Sequence, residues 1–124
     1  YDRFSGEINY MGNVTNHTSA IPCKFYEAVP TTGMNFAVAL NGFVGTVYVE
    51  ATEDSTISVE SFKNAVQLQS FTTTVATTTT HNFTNVPVGK YNYMRISWTY
   101  PDVWAYGGQD PTTVYGSVNS VTVS

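Results

Sequence analysis

The sequence predicts an all-β protein built as a single antiparallel β-sandwich, of jelly-roll or galactose-binding-like form, with an extended N-terminal segment. Apolar and polar residues alternate with a period of two along most of the chain, as in strands that bury one face. Apolar residues at the three- and four-residue spacing of a helix are nearly absent. The chain has 124 residues, enough for one domain that buries roughly two-thirds of its unfolded surface.

The first part of the chain, residues 1–33, is predicted to form a strand and an extended arm. Phe4 to Tyr10 alternates between two faces and is the first strand candidate. Ile21 to Glu27 alternates as well, but Pro22 lacks the N–H that a central strand needs, which favours an edge strand or an arm. We expect this segment to pack on the sandwich or on a neighbouring subunit, and residues 34–124 to form the sandwich body.

Two strands are predicted on either side of an Asn-Gly turn. Met34 to Leu40 alternates cleanly, and so does Phe43 to Ala51, whose odd-numbered residues we expect inside. Asn41 and Gly42 between them tolerate the positive φ angles of a tight turn. The sequence therefore predicts that these two strands pair as a hairpin.

A weaker pair of strands follows, Ile57 to Ser61 and Ala65 to Phe71, with Val66 and Leu68 expected inside. The threonine-rich tract from Phe71 to Thr84 lacks the prolines of a mucin-like stalk, and β-branched threonine suits exposed strand positions. This tract is predicted to form two strand ends around an exposed turn.

The C-terminal part contains two further strand candidates. Tyr91 to Thr99 places its large apolar residues on one face and is expected to be a central strand. Val114 to Val123 changes the parity of its apolar residues near Asn119 and Ser120, which predicts either a bulge or burial on both faces.

Between these two strands lies a loop, residues 100–113, that combines aromatic residues with glycine and proline. Its candidate contact residues are Tyr100, Asp102, Trp104, Tyr106, Gln109 and Asp110. The three rings could form a platform for a sugar ring, with the carboxylates and the amide accepting hydroxyl hydrogen bonds. They could equally anchor a neighbouring subunit, since Trp and Tyr are enriched in interface cores, or pack locally.

Charge and composition argue against nucleic acid and membrane as partners. The net charge is −4, and the five Lys and Arg residues are scattered, so the sequence offers no basic stripe for nucleic acid. No apolar run is long enough to span a membrane. Charged residues make up only 11% of the chain, about half of the usual share, so we expect a neutral, hydroxyl-rich surface partly covered by other chains.

Catalytic and metal-binding patterns are not found. His17 and His81 have no second ligand at a metal-binding spacing, and no GxSxG-type nucleophile turn occurs. Glu53 and Asp54 read as an acidic turn without the spacing of a calcium loop. Cys23 is the sole cysteine, and its parity predicts a small buried side chain. The sequence thus predicts a non-enzymatic protein without metal or cofactor.

The region from Asn35 to Val123 resembles a recurrent pattern in structural proteins of tailed bacteriophages. The pattern comprises a GTVYVEAT-like strand, a Ser-Phe pair, an NFT turn, a strand containing MRISW and a closing GSVNSV strand. The matching positions are Gly45, Glu50, Ala51, Thr52, Phe83, Thr84, Tyr93, Arg95, Gly116 and Val118. Asn85 departs from the pattern, which has glycine there, and the VPVGK extension of the turn also departs from it.

This resemblance implies a β-sandwich that serves as a capsid decoration, cement, neck or fibre module of a virion assembled in the host cytoplasm. We then expect a homo-oligomer whose partners are the major capsid protein or neighbouring copies of the chain. The alternative function is a carbohydrate-binding module, or a receptor-binding fibre domain, that uses the aromatic residues of loop 100–106.

Overall fold

The computed structural model describes residues 8–9, 16–23, 33–58, 60–101 and 115–123. These residues contain eight strands. They are β1 (Ile8–Asn9), β2 (Ile21–Pro22), β3 (Met34–Asn41), β4 (Phe43–Thr52), β5 (Val66–Thr77), β6 (Thr80–Val86), β7 (Tyr93–Thr99) and β8 (Ser117–Val123).

The strands form two four-stranded antiparallel sheets, in the orders β1-β8-β3-β6 and β2-β7-β4-β5. The first strand pairs with the last, the second with the seventh, the third with the sixth and the fourth with the fifth. The chain is therefore a long ribbon folded back on itself and rolled into two layers, and the β3–β8 and β4–β7 ladders complete the sheets. This order is that of a jelly roll, and the predicted all-β sandwich is confirmed.

The core lies between the two sheets and is built by the alternation that the sequence shows. In β3, β4 and β7 nearly every second residue is buried, and the partners across the ladders repeat this parity. The largest fully buried side chains are Phe36, Phe43, Ile21, Met34, Met94 and Ile96. Burial of each such side chain stabilises the fold by roughly 1.5–3 kcal/mol, so apolar contacts between these strands hold the two layers together.

The predicted hairpin at Asn41 and Gly42 is wrong. β3 and β4 follow each other in the chain but belong to different sheets, so the turn carries the chain across the sandwich. Leu40 and Phe43, just before and after the turn, are both buried between the layers, which requires the chain to change sheets here. Gly42 has a φ of 63°, and a Cβ on Gly116 of the adjoining segment would overlap its carbonyl oxygen.

The threonine-rich tract forms two strands around an exposed turn, as predicted. β5 ends at Thr77 and β6 begins at Thr80, and the turn residue Thr78 accepts a hydrogen bond from the Gly42 N–H at 2.9 Å. These two strands also lie in different sheets. The turns after β3 and after β5 are thereby joined at one end of the sandwich.

Two predictions for the residues around the start of β5 are wrong. The segment from Ile57 to Ser61 contains no strand among its described residues and leads into a turn closed by the Ser61 hydroxyl, which accepts the Ser58 N–H at 2.9 Å. Val66 is 46% exposed rather than inside, because it begins an edge strand. Leu68 is partly buried and packs against the core.

Both predicted C-terminal strands are present, and each begins later than predicted, at Tyr93 and at Ser117. β7 lies between β2 and β4. In the β3–β8 ladder Ala39 faces Ser120 and Leu40 faces Val118, so Asn119 is an extra residue, which is the predicted bulge. The bulge changes the parity of β8, so that Val118 and Val121 both reach the core.

The described part of the N-terminal segment supplies one edge strand to each sheet. β1 pairs with β8, and β2 pairs with β7, with Pro22 on the outer edge as predicted. Packing of residues 1–33 on a neighbouring subunit stays a prediction. No described helix is long and apolar enough to cross a membrane.

Candidate functional site

A cleft of about 570 Å³ opens at the end of sheet β2-β7-β4-β5 where β7 stops and β4 begins. Its lining combines threonines from three strands with two tyrosine rings. The lining residues are Val44, Gly45, Thr46, Thr72, Thr73, Thr74, Thr99, Tyr100, Pro101 and Tyr115. The volume is in the range of small-molecule sites, roughly 300–1,000 Å³.

Tyr100 forms the aromatic wall of the cleft. Its hydroxyl donates a hydrogen bond to the Gly116 carbonyl at 3.2 Å, and its ring lies 5.8 Å from that of Phe43 between centroids. The Tyr115 ring stacks beside it at 6.2 Å with planes 21° apart. The two rings are thus held in place by the residues that lead into β8 and by Phe43 of the core.

The threonine wall is set by the β4–β5 ladder. Thr46 faces Thr72 across this ladder, and their hydroxyls lie 3.0 Å apart. The buried Thr73 hydroxyl is used inside the fold, since it accepts the Gly45 N–H at 3.2 Å and donates to the Phe43 carbonyl at 2.9 Å. Thr74 and Thr99 are exposed at the rim.

None of the described lining residues carries a formal charge at neutral pH. Hydroxyl groups that both donate and accept, next to aromatic faces, suit a neutral polyhydroxylated ligand better than a phosphate or another ion. The arrangement can bind and orient such a ligand. It supplies no activated nucleophile among the described residues.

The structure places only one of the sequence-predicted contact residues in this cleft. Tyr100 lines it, whereas Asp102, Trp104, Tyr106, Gln109 and Asp110 lie outside the described residues. The sequence reasoning missed Tyr115 and the β5 threonines. The only signal for the threonines was the composition of the threonine-rich tract, which predicts exposed strand positions but not the partner strand.

The cysteine and His81 lie outside the cleft, and their surroundings indicate structural roles. Burial raises the pKa of the Cys23 thiol to about 12, so this cysteine is protonated and inert at neutral pH. His81 stacks on Phe71 with centroids 3.7 Å apart, and burial lowers its pKa. Among the described residues, no group of three or more His, Cys, Asp and Glu side chains is placed to hold a metal ion.

A cross-strand ion pair occupies the outer face of the same sheet. Arg95 Nε donates to Glu50 Oε1 at 2.7 Å, and the two residues face each other across the β4–β7 ladder. The Phe62 ring lies 4.5 Å from the Arg95 guanidinium carbon, in cation–π geometry. The contacts of these three residues join the turn before β5 to the sheet.

Comparison of the chain with protein-family models, with curated proteins and with solved structures finds no significant match.

Proposed function

We propose that this chain is a non-enzymatic structural protein of a bacteriophage virion, serving as a capsid decoration or cement protein. Its partners are the major capsid protein or neighbouring copies of itself. It is assembled in the host cytoplasm and acts in the extracellular particle by holding neighbouring subunits together.

The observation that carries the proposal is the uncharged surface of the strands at one side of the sandwich. Neither β5, with twelve residues, nor β6, with seven, contains Asp, Glu, Lys or Arg. Of their eleven exposed side chains, eight carry hydroxyl or amide groups. Such surfaces suit wet interfaces with bridging waters, and many weak contacts repeated by symmetry give a strong assembly.

The residues that carry the sequence resemblance also support it. A Cβ on Gly45 would overlap the Thr99 carbonyl oxygen, and Glu50 pairs with Arg95 across the sheet. The contacts of both residues shape the fold. The residues of the pattern therefore serve the fold, as expected for a protein whose proposed role is to hold neighbouring subunits together.

Mass spectrometry of purified particles with copy counting tests the proposal. We expect the chain in intact particles at a copy number set by capsid symmetry. Recombinant protein added back to particles that lack it should raise their resistance to heat. Absence of the chain from purified particles, at a detection limit below one copy each, would overturn the proposal.

The cleft beside Tyr100 favours a second candidate function, saccharide binding. Its neutral lining, its threonine hydroxyls and its paired tyrosine rings together match the needs of a sugar ring. This function is compatible with a fibre or decoration protein that contacts a host surface.

A glycan array with the native protein and a Thr99→Val variant tests this candidate. The variant removes a rim hydroxyl with little change in shape, and we expect weaker retention of any bound glycan. Thr84→Val, which alters an exposed threonine of β6, is the matched control and should bind as the native protein does. Failure of the native protein to retain any glycan contradicts this function.

A further inference from the structure

β5 is a long strand edge whose only protection of the usual kinds, among the described residues, is a register shift on either side of its centre. It spans twelve residues at the edge of sheet β2-β7-β4-β5 and contains no charged residue, proline or glycine. Among the described residues, no strand pairs with its outer side. Folded proteins normally protect such edges with charges, proline, bulges or short strands, because an open edge templates pairing with another chain.

The edge strands β2 and β6 are less suited to pairing with another chain. β2 has only two strand residues, one of which is Pro22. β6 has seven residues and includes Asn85 at a φ of 55°, which breaks its regular course near the end. β5 therefore stands out from these two strands in length.

The middle of β5 offers a regular edge. From Gln69 to Thr73 each residue faces one residue of the β4 run Gly45 to Val49, and register shifts occur on both sides of this stretch. In an edge strand the N–H and C=O groups that point away from the neighbour have no ladder partner. The five central residues can thus extend the sheet, while the shifts twist the two ends.

The exposed apolar residues point to the same edge. Of the described residues, three large hydrophobic side chains are exposed, Ile57, Val66 and Val75, and the last two lie near opposite ends of β5. Antiparallel pairing of two identical strands, centred between Gln69 and Thr73, brings the Val66 end of one beside the Val75 end of the other. Both apolar ends are then covered by a second copy.

We propose that β5 pairs with β5 of a second copy across a two-fold axis, joining two four-stranded sheets into one of eight strands. This pairing rests on the proposed function in one respect, because it identifies the surface through which the expected homo-oligomer forms. A second copy fits because two identical uncharged strands place no like charges opposite each other and a two-fold interface is self-complementary.

Sedimentation and hydrogen exchange of the full chain over a range of concentrations test this pairing. We expect a dimer, and we expect the amides of residues 69–73 to exchange more slowly as the dimer forms, with no such change in β6. This measurement needs no variant. A chain that stays monomeric up to about millimolar concentration, or a dimer that leaves β5 exchange unchanged, overturns the proposal.

The introduction of positive charges into β5 sharpens the test. Ser70→Lys with Thr72→Lys puts like charges on the outer face of β5 in both copies, and we expect the dimer to weaken at least about tenfold. Asn82→Lys with Thr84→Lys places the same charges on β6 and should leave the dimer intact. Dissociation by the β6 pair alone would overturn the proposal.

The outcome is separable from that of the proposed function. A chain found in particles whose self-association does not involve β5 refutes the edge pairing only. A chain that dimerises through β5 but is absent from every particle refutes the virion function only.

Discussion

The two edges of sheet β2-β7-β4-β5 end the same sheet in different ways. On the β2 side, an irregular segment covers β7: the Thr18 N–H donates to the Ile96 carbonyl at 2.8 Å, and the Trp98 N–H donates to the Asn16 carbonyl at 3.0 Å. On the β5 side, twelve residues run as one strand whose outer side has no strand partner among the described residues. Within the described part of the chain, one edge is covered by an irregular segment and the other has no strand beside it.

Both edges nevertheless use a buried threonine hydroxyl in place of a backbone partner. The Thr18 hydroxyl accepts the Ile96 N–H at 3.1 Å and donates to the Ser19 carbonyl at 2.9 Å. The Thr73 hydroxyl joins the Gly45 N–H and the Phe43 carbonyl in the same manner. The two edges therefore satisfy these buried polar groups alike and differ in whether a described segment covers them.

The largest expected effect tests whether the β2 edge is anchored by the core. Ile21→Ala should lower the free energy of unfolding by about 2–5 kcal/mol, because Ile21 is fully buried and its truncation leaves a cavity. Val75→Ala on the β5 edge should change it by less than about 0.5 kcal/mol, because Val75 is 70% exposed. Urea denaturation measures both values, and similar losses in the two variants would contradict the asymmetry.

A smaller effect is expected from the two buried hydroxyls. Thr18→Val and Thr73→Val should each cost about 1–3 kcal/mol, since each removes the acceptor of a buried backbone N–H while nearly keeping the side-chain shape. Thr72→Val is the control, because its hydroxyl bonds the Thr46 hydroxyl in an exposed position and its loss should cost less than about 0.5 kcal/mol. If Thr73→Val lowers the free energy of unfolding no more than Thr72→Val in the same assay, the Thr73 hydroxyl does not replace a backbone hydrogen-bond partner.

Much of the fold could be predicted because strand alternation is a local property. Residue parity predicts the strands β3, β4, β7 and β8 and an irregularity near Asn119 and Ser120, which the structure shows to be a bulge. The sheet to which each strand belongs does not follow. Asn41 and Gly42 fix the backbone angles of a turn, but whether the next strand pairs or crosses depends on which side chains meet in the core, a long-range property.

The candidate site was predicted in part for the same reason. The aromatic composition after β7 singled out Tyr100, which lines the cleft. Thr46 and Thr72 come together only through the register of the β4–β5 ladder, which shifts between Phe43 and Gly45. No local pattern specifies that shift, so the threonine wall could not be predicted residue by residue.

The smallest expected effect concerns the ring stack between the open edges of the two sheets, where His81 lies against Phe71 and Phe83. Burial lowers the His81 pKa below its ordinary value of 6.5, so the folded state favours the neutral imidazole. The stabilisation is therefore complete above pH 6.5 and declines as the pH falls from there through the folded-state pKa, because the unfolded chain takes up the proton first. We expect the difference in unfolding free energy between the native protein and His81→Gln to shrink between pH 7.5 and pH 5. A difference that instead grows on acidification would mean that the rings stabilise the imidazolium by cation–π contact and that the open side of the sandwich is strengthened by acid.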